Sequence, residues 1–224
     1  MRLNRYIATY SNLSRRKADA LIETGKVNVN RRAAHNGMDV SDDDIVVIDG
    51  RRLLPIKRES ITVLLNKPEG YVCSRDGQGS PTVYDLLQNR MKHLNIAGRL
   101  DKDSSGLVVL TDDGQLLQEL THPSYNKEKR YEVALDEPLK KVDLDRIHTG
   151  VDIGDTRVSR FKVVPCKRVD HPNCYLISIS EGRNRQIRRT FEALRYKVLR
   201  LHRTSLGPYE LGPLAEGSFL EQPL

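Results

Sequence analysis

The stretch that most constrains this chain is Gly98-Arg99-Leu100-Asp101-Lys102-Asp103-Ser104-Ser105-Gly106, followed by Leu107-Val108-Val109-Leu110-Thr111. Residues 107–110 are an unbroken apolar run rich in valine, which reads as a buried strand. Gly98 and Gly106 bracket a polar loop and permit sharp turns or close approach of the backbone. Inside the loop, Asp101 and Asp103 stand two residues apart. A charged loop entering a buried strand holds a reactive side chain on a rigid support. The same spacing also suits turn residues with solvated carboxylates, and spacing alone does not choose between these readings.

The balance of charge narrows the partner. The chain has 224 residues, a net charge of +7 and a pI near 9.3, so a polyanion is the expected partner, with RNA, DNA and an anionic membrane all open. The start, Met1-Arg2-Leu3-Asn4-Arg5-Tyr6, leads into no apolar core of signal-peptide length. No segment approaches 18 consecutive apolar residues, so no membrane-spanning helix is expected. Cys73, Cys166 and Cys174 are an odd set without CxxC spacing. That argues against a disulfide framework and fits a reducing cytoplasm. Cys166, His171 and Cys174 match no zinc-ligand spacing, so no metal is expected.

The first fifty residues form their own pattern. Leu3 with Ile7 and Tyr6 with Tyr10 repeat at helical spacing. Ser14 is a plausible N-cap for a second helix carrying Ala18, Leu21 and Ile22, and Gly25 a plausible stop. Residues 26–31 alternate like a strand turning near Asn30, and residues 45–48 give another. Residues 1–34 carry eight basic side chains against two acidic, a net of +6, whereas 35–50 carry five aspartates and no Lys or Arg. Arg15, Arg16 and Lys17 fill the first turn of the second helix, where the macrodipole disfavours cations. Phosphate contact accounts for such a breach; a solvated helix start is the plainer account. Leu3-Asn4-Arg5-Tyr6-Ile7, Ser14-Arg15-Arg16-Lys17-Ala18 and residues 22–30 resemble the alpha-L (S-four type) RNA-binding domain. Arg31 departs from that pattern, which has Gly there, although Asn30 tolerates the left-handed conformation.

Residues 53–60 read as a linker between residues 1–52 and a larger domain over 61–224. Strands are expected at 61–65, 71–73, 129–135, 151–153, 158–164, 175–180 and 197–201, with a turn at Asp113-Gly114. Helices are expected at 83–87, around Leu116, Leu117 and Leu120, and at 184–196 with Ile187, Phe191 and Leu194 inward. The fold class is α+β: a small N-terminal module plus a larger, mainly antiparallel-sheet domain. A second basic concentration at 181–203 has eight cations against two carboxylates. Arg183, Arg185, Arg188 and Arg189 crowd the start of its helix, a place to bind phosphate or hold a carboxylate. A surface pair of Arg188 with Glu192 is the plainer use of one of them.

Four motifs in order resemble the pseudouridine synthases that act on ribosomal RNA and carry an appended alpha-L domain: Lys67-Pro68-Glu69-Gly70, the 98–111 stretch with Asp113-Gly114, Lys129-Arg130-Tyr131, and residues 181–189. That resemblance implies Asp101 as the catalytic carboxylate attacking a flipped uridine, with Asp103 left to shape the loop. It implies Tyr131 stacking on the base and assisting proton removal, and Arg188 pairing with Asp101. Arg99 would fill the space of the flipped base, and Arg15, Arg16, Lys17, Arg183, Arg185 and Arg189 would contact RNA. It implies no cofactor and no metal, ribosomal RNA or an assembly intermediate as partner, no membrane, a monomer and a cytoplasmic location. The form of residues 184–189 favours the large-subunit RNA, with the small subunit open. Arg195 stands in place of a usual Gly, a change of helix cap, and Thr190 in place of a usual Met, a change of packing. Two rivals remain: a non-enzymatic RNA-binding or ribosome-assembly protein, and a hydrolase or nuclease using Asp101 with Asp103.

Overall fold

The computed structural model describes residues 1–11, 13–55, 59–166 and 171–222. The chain divides into two compact units, Met1–Glu59 and Ser60–Leu224. Residues 56–58 of the expected linker lie outside the described residues.

In the first unit, α1 (Leu3–Tyr10) buries Leu3, Tyr6 and Ile7. The Ser14 hydroxyl accepts from the Lys17 amide at 3.2 Å and starts α2 (Arg15–Glu23), which ends at Gly25 with φ +70°. Strands β1 (Val27–Val29), β2 (Arg32–Ala33), β3 (Val46–Ile48) and β4 (Arg51–Arg52) form an antiparallel sheet in the order β2-β1-β3-β4. Val27, Val29 and Val46 close the core against Ala18 and Ile22. Val29 pairs with Arg32, leaving Asn30 and Arg31 as a two-residue hairpin turn. Both adopt positive φ, 49° and 67°, as such a turn demands. Arg31 thus takes the conformation that glycine serves more cheaply. Asn30 fixes the turn by donating to Asp44 at 2.6 Å and accepting from the Ile45 amide at 2.9 Å.

The second unit is built on a nine-stranded sheet. In chain order its elements are β5 (Thr62–Lys67), β6 (Asn95–Ala97), β7 (Ser105–Thr111), α3 (Gly114–Thr121), β8 (Lys129–Leu135), α4 (Lys141–Thr149), β9 (Lys162–Pro165), β10 (Cys174–Ile179), α5 (Gln186–Ala193), β11 (Val198–Leu206), β12 (Tyr209–Glu210) and β13 (Phe219–Gln222). The main path runs β13-β5-β7-β11-β8-β10-β9, with β6 on β7 and β12 on β11. The pairings are antiparallel except β7 with β11, which is parallel through Ser105–His202 and Gly106–Arg203. All seven residues of β7 are buried because both faces are covered. Val108 and Leu110 join the main core with Val63 and Leu65, while Leu107 and Val109 pack on Leu120, Leu206 and Leu211. Double burial explains the unbroken apolar run.

Several expectations change. Residues 71–73 form no strand; Val72 makes a single bridge to Thr82. Residues 151–153 likewise reduce to one bridge, Val151 to Ser159. Asp113 caps α3, accepting from the amides of Gln115 and Leu116, so the expected turn is a helix start. Helix 184–196 shortens to α5 because Arg185 and Arg195 both take positive φ, 47° and 68°. At Arg195 the amides of Arg195 and Tyr196 reach the carbonyls of Glu192 and Phe191 at 2.9 Å each, so arginine occupies the turn that glycine usually makes. Cys166 and Cys174 form a disulfide, against the expectation of no such bond. Strand pairing sets them together: their Cα atoms are 5.2 Å apart and the Cys166 amide donates to the Cys174 carbonyl at 2.9 Å. The cysteine count therefore carries no argument about compartment. No described helix is long and apolar enough to cross a membrane.

Candidate active site

The loop between β6 and β7 is clamped from below by two buried cations. Arg203, on β11, is 1% exposed. It donates through Nε to the Leu107 carbonyl at 2.8 Å and through its terminal nitrogens to the carbonyls of Gly98 at 2.6 Å and Arg99 at 3.5 Å. Lys67, closing β5, is fully buried. Its ammonium donates to the carbonyls of Pro68 at 2.8 Å, Ser104 at 2.5 Å and Lys102 at 3.5 Å. Burial pushes the Lys67 pKa below the ordinary lysine value, while nearby Cys73, Glu69, Asp103 and Asp101 oppose that shift. The Gly70 amide donates to the Lys102 carbonyl at 2.8 Å, and the Leu100 amide to the Cys73 sulfur at 3.4 Å. Gly106 has φ +102°, and a Cβ there would stand 2.3 Å from the Arg203 carbonyl oxygen. Only glycine lets β7 press this closely on β11.

The carboxylates rest on the α5 arginines, but not in the expected pairing. Arg185 donates to both oxygens of Asp103, at 2.9 and 2.7 Å, and lies 3.7 Å from Asp101. Arg188 lies 3.3 Å from Asp103 and donates to the Asp103 and Val198 carbonyls. The expected Arg188–Asp101 ion pair is replaced: Arg188 anchors the loop backbone, and Arg185 is the guanidinium beside Asp101. The Arg185 hydrogen bonds hold the Asp103 carboxyl below its ordinary pKa. Asp101 keeps a third of its side chain exposed, 34%, at the top of the clamped loop.

Other expected site residues divide by what they touch. Tyr131 is buried on β8, opposite Ile177 and Arg203, so Gly106, Arg203 and Tyr131 form one row across three strands. Arg99 is exposed at the loop's start. Arg183 and Arg189, expected on RNA, are engaged within the protein. Both pair with Asp155, at 3.1 and 2.7 Å, and they donate to the carbonyls of Ile153, Arg157 and Val158. Thr190 is more than a packing change: its hydroxyl lies 2.8 Å from both the Ser159 hydroxyl and the Gln186 carbonyl. Arg15, Arg16 and Lys17 are exposed in the first unit. Sequence reasoning places Lys67 in the first of the four motifs and Arg203 in the second basic concentration, but reveals neither as a buried clamp under the loop. The place of Arg203 between Leu201 and Ser205, alternate residues of a strand, is the available signal.

The sequence profile described as RNA pseudouridylate synthase matches residues 61–193. The chain belongs to that family. The ribosomal small subunit pseudouridine synthase A of Pasteurella multocida (strain Pm70) is 36% identical over 98% of this chain and 94% of its own length. The ribosomal large subunit pseudouridine synthase B of Bacillus subtilis (strain 168) is 34% identical over 98% of this chain and 91% of its own. A crystal structure of a pseudouridylate synthase superposes with a TM-score of 0.71 at 33% identity, covering 100% of this chain and 96% of that one. The second unit is therefore a pseudouridine synthase, an isomerase, and the non-enzymatic and hydrolytic readings fall away.

Proposed function

We propose that this chain isomerises a uridine of ribosomal RNA, with Asp101 as the attacking carboxylate. One observation carries the assignment: Asp101 is part-exposed at the crest of a loop whose carbonyls are held by Lys67, Arg188 and Arg203. A nucleophile needs a fixed position, and this loop has little freedom. In the proposed course the uridine leaves the stack and Asp101 adds to the sugar's anomeric carbon or to the ring. The glycosidic bond breaks, the uracil turns, and it is rejoined through carbon as the proton on that carbon departs. Atoms balance between substrate and product, so the reaction calls for no cofactor or metal. Tyr131 stacks on the base and assists the proton's removal. Arg185 stands 3.7 Å from Asp101 and orients its carboxylate. Arg99 enters the space of the flipped base, easing a cost of a few kcal/mol.

In this reading residues 1–52 are an alpha-L module joined through 53–60 to the synthase domain, and Arg15, Arg16 and Lys17 lie on phosphates. The protein acts as a cytoplasmic monomer on ribosomal RNA or an assembly intermediate. The relatives named for the small and large subunits match almost equally, at 36% and 34%, so the large-subunit preference rests on residues 184–189 alone. Mapping pseudouridines in both ribosomal RNAs, from cells with and without the protein, identifies the target. Asp101→Asn abolishes isomerisation while RNA affinity persists; pseudouridine formed by that variant would falsify the mechanism.

A further inference from the structure

A broad groove of about 1010 Å³ opens where β10 runs into the arginine loop, and no step above uses it. Ser178, Ile179 and Ser180 line it together with Arg157, Arg160 and Lys162, and Lys162 pairs directly with Ser178 across β9 and β10. Its carboxylates are already neutralised: Glu128 pairs with Arg130 at 2.9 Å and Glu181 with Arg183 at 3.0 Å. Arg157, Arg160 and Lys162 are exposed and enter no ion pair among the described residues. The groove therefore presents uncompensated positive charge beside serine hydroxyls.

Its cationic wall is pre-formed. Arg183 donates to the carbonyls of Arg157 at 2.6 Å and Val158 at 3.1 Å, tying that loop to the arginine motif. Gly150 lies under Val158 so closely that a Cβ there would meet the valine methyl at 2.5 Å. The groove also reaches the strand that carries Tyr131. Ile179 pairs with Lys129, two residues before Tyr131 on β8, a step of about 7 Å along the strand.

We propose that this groove holds the sugar-phosphate backbone of the RNA segment flanking the target uridine, with Arg157, Arg160 and Lys162 on successive phosphates. The inference rests on the ribosomal RNA reading above. Arg183 and Arg189 then serve by shaping the wall rather than by touching RNA.

The test compares the full-length wild type, the triple variant Arg157→Ala/Arg160→Ala/Lys162→Ala, and a charge-retaining Arg157→Lys/Arg160→Lys/Lys162→Arg variant. The probes are transcribed, unmodified small- and large-subunit ribosomal RNA, with affinity measured from low to moderate salt. Three lost phosphate contacts make the plot of log affinity against log salt shallower by about 2 to 3, with an affinity loss of about tenfold or more at low salt. The charge-retaining variant keeps both values. A neutral variant with the wild-type slope and affinity overturns the inference. Pseudouridine formation by the wild type is scored on the same RNA. If it forms none on that RNA or on ribosomal particles from cells lacking the protein, the ribosomal reading fails, while a slope difference between wild type and neutral variant still reports on the groove.

Discussion

Arg185 and Asp103 are joined by two parallel hydrogen bonds of 2.9 and 2.7 Å, and the same guanidinium stands 3.7 Å from Asp101. Asp103 thus works as a tether for the cation that Asp101 meets. Asp103→Asn keeps the shape but loses the charge that orients Arg185. The pair is nearly half exposed, so the stability loss is small, about 1 kcal/mol or less. The expected cost falls on chemistry, with the single-turnover rate of pseudouridine formation dropping about tenfold, or ~1.4 kcal/mol of barrier. An unchanged rate removes Asp103 from the positioning of Arg185.

Several carboxyls contribute to acid stability, and two of them meet the arginine motif. Arg185 holds Asp103, and Arg189 with Arg183 holds Asp155, below the ordinary aspartate range. Folded pKa values lower than unfolded ones mean the unfolded chain binds more protons near pH 4. Their contribution is complete above about pH 4 to 5 and is lost as pH falls through the folded values. Asp103→Asn/Asp155→Asn flattens the decline of the urea midpoint between about pH 5 and pH 2, relative to wild type. Parallel curves for the two proteins contradict this assignment.

What the sequence reveals depends on how local the cause is. The strand at 107–110, the Ser14 cap and the inward face of Ile187 and Phe191 follow from spacing along one segment, and each is formed. Residues 71–73 and 151–153 have strand-like composition, yet each makes only one bridge, because pairing depends on partners distant in sequence. Helix α4 escapes notice because only Ile147 among its apolar residues is fully buried, and Val142 is 60% exposed. In the site, the residue types were legible but their partners were not. Four arginines near 185 read alike in sequence; the fold sends Arg183 and Arg189 to Asp155, Arg188 to the loop backbone and Arg185 to the carboxylates. Cys166 and Cys174 meet through the register of β9 with β10, which no spacing rule encodes.

Arg203 tests whether the loop depends on its buried clamp. Arg203→Met keeps much of the apolar stem and removes the donors to Gly98 and Leu107. Each buried carbonyl left short of a donor costs about 1–3 kcal/mol, so the expected loss is about 3 kcal/mol. Arg203→Lys restores one donor group and recovers part of it. Urea denaturation of both variants gives the order wild type, Lys, Met; equal midpoints for all three contradict the clamp.

Gly106 and Gly70 separate backbone strain from steric collision at the same loop. Both have positive φ, 102° and 89°, so alanine at either pays the left-handed cost of about 1–2 kcal/mol. A Cβ at position 70 meets nothing within 4 Å, so Gly70→Ala stops at that cost. At position 106 the added carbon would lie 2.3 Å from the Arg203 carbonyl oxygen and 2.6 Å from its nitrogen. Neither backbone atom can swing aside, so β7 must move away from β11, carrying with it the end of the loop that bears Asp101. Gly106→Ala is expected to lose more than about 3 kcal/mol of stability. Its isomerisation rate falls even at temperatures where it stays folded, because a displacement of about 1 Å at the proposed nucleophile Asp101 costs about a hundredfold. Gly70→Ala keeps a rate close to wild type. Similar urea midpoints and rates for the two variants exclude the parallel β7–β11 seam as the support of the loop that carries Asp101.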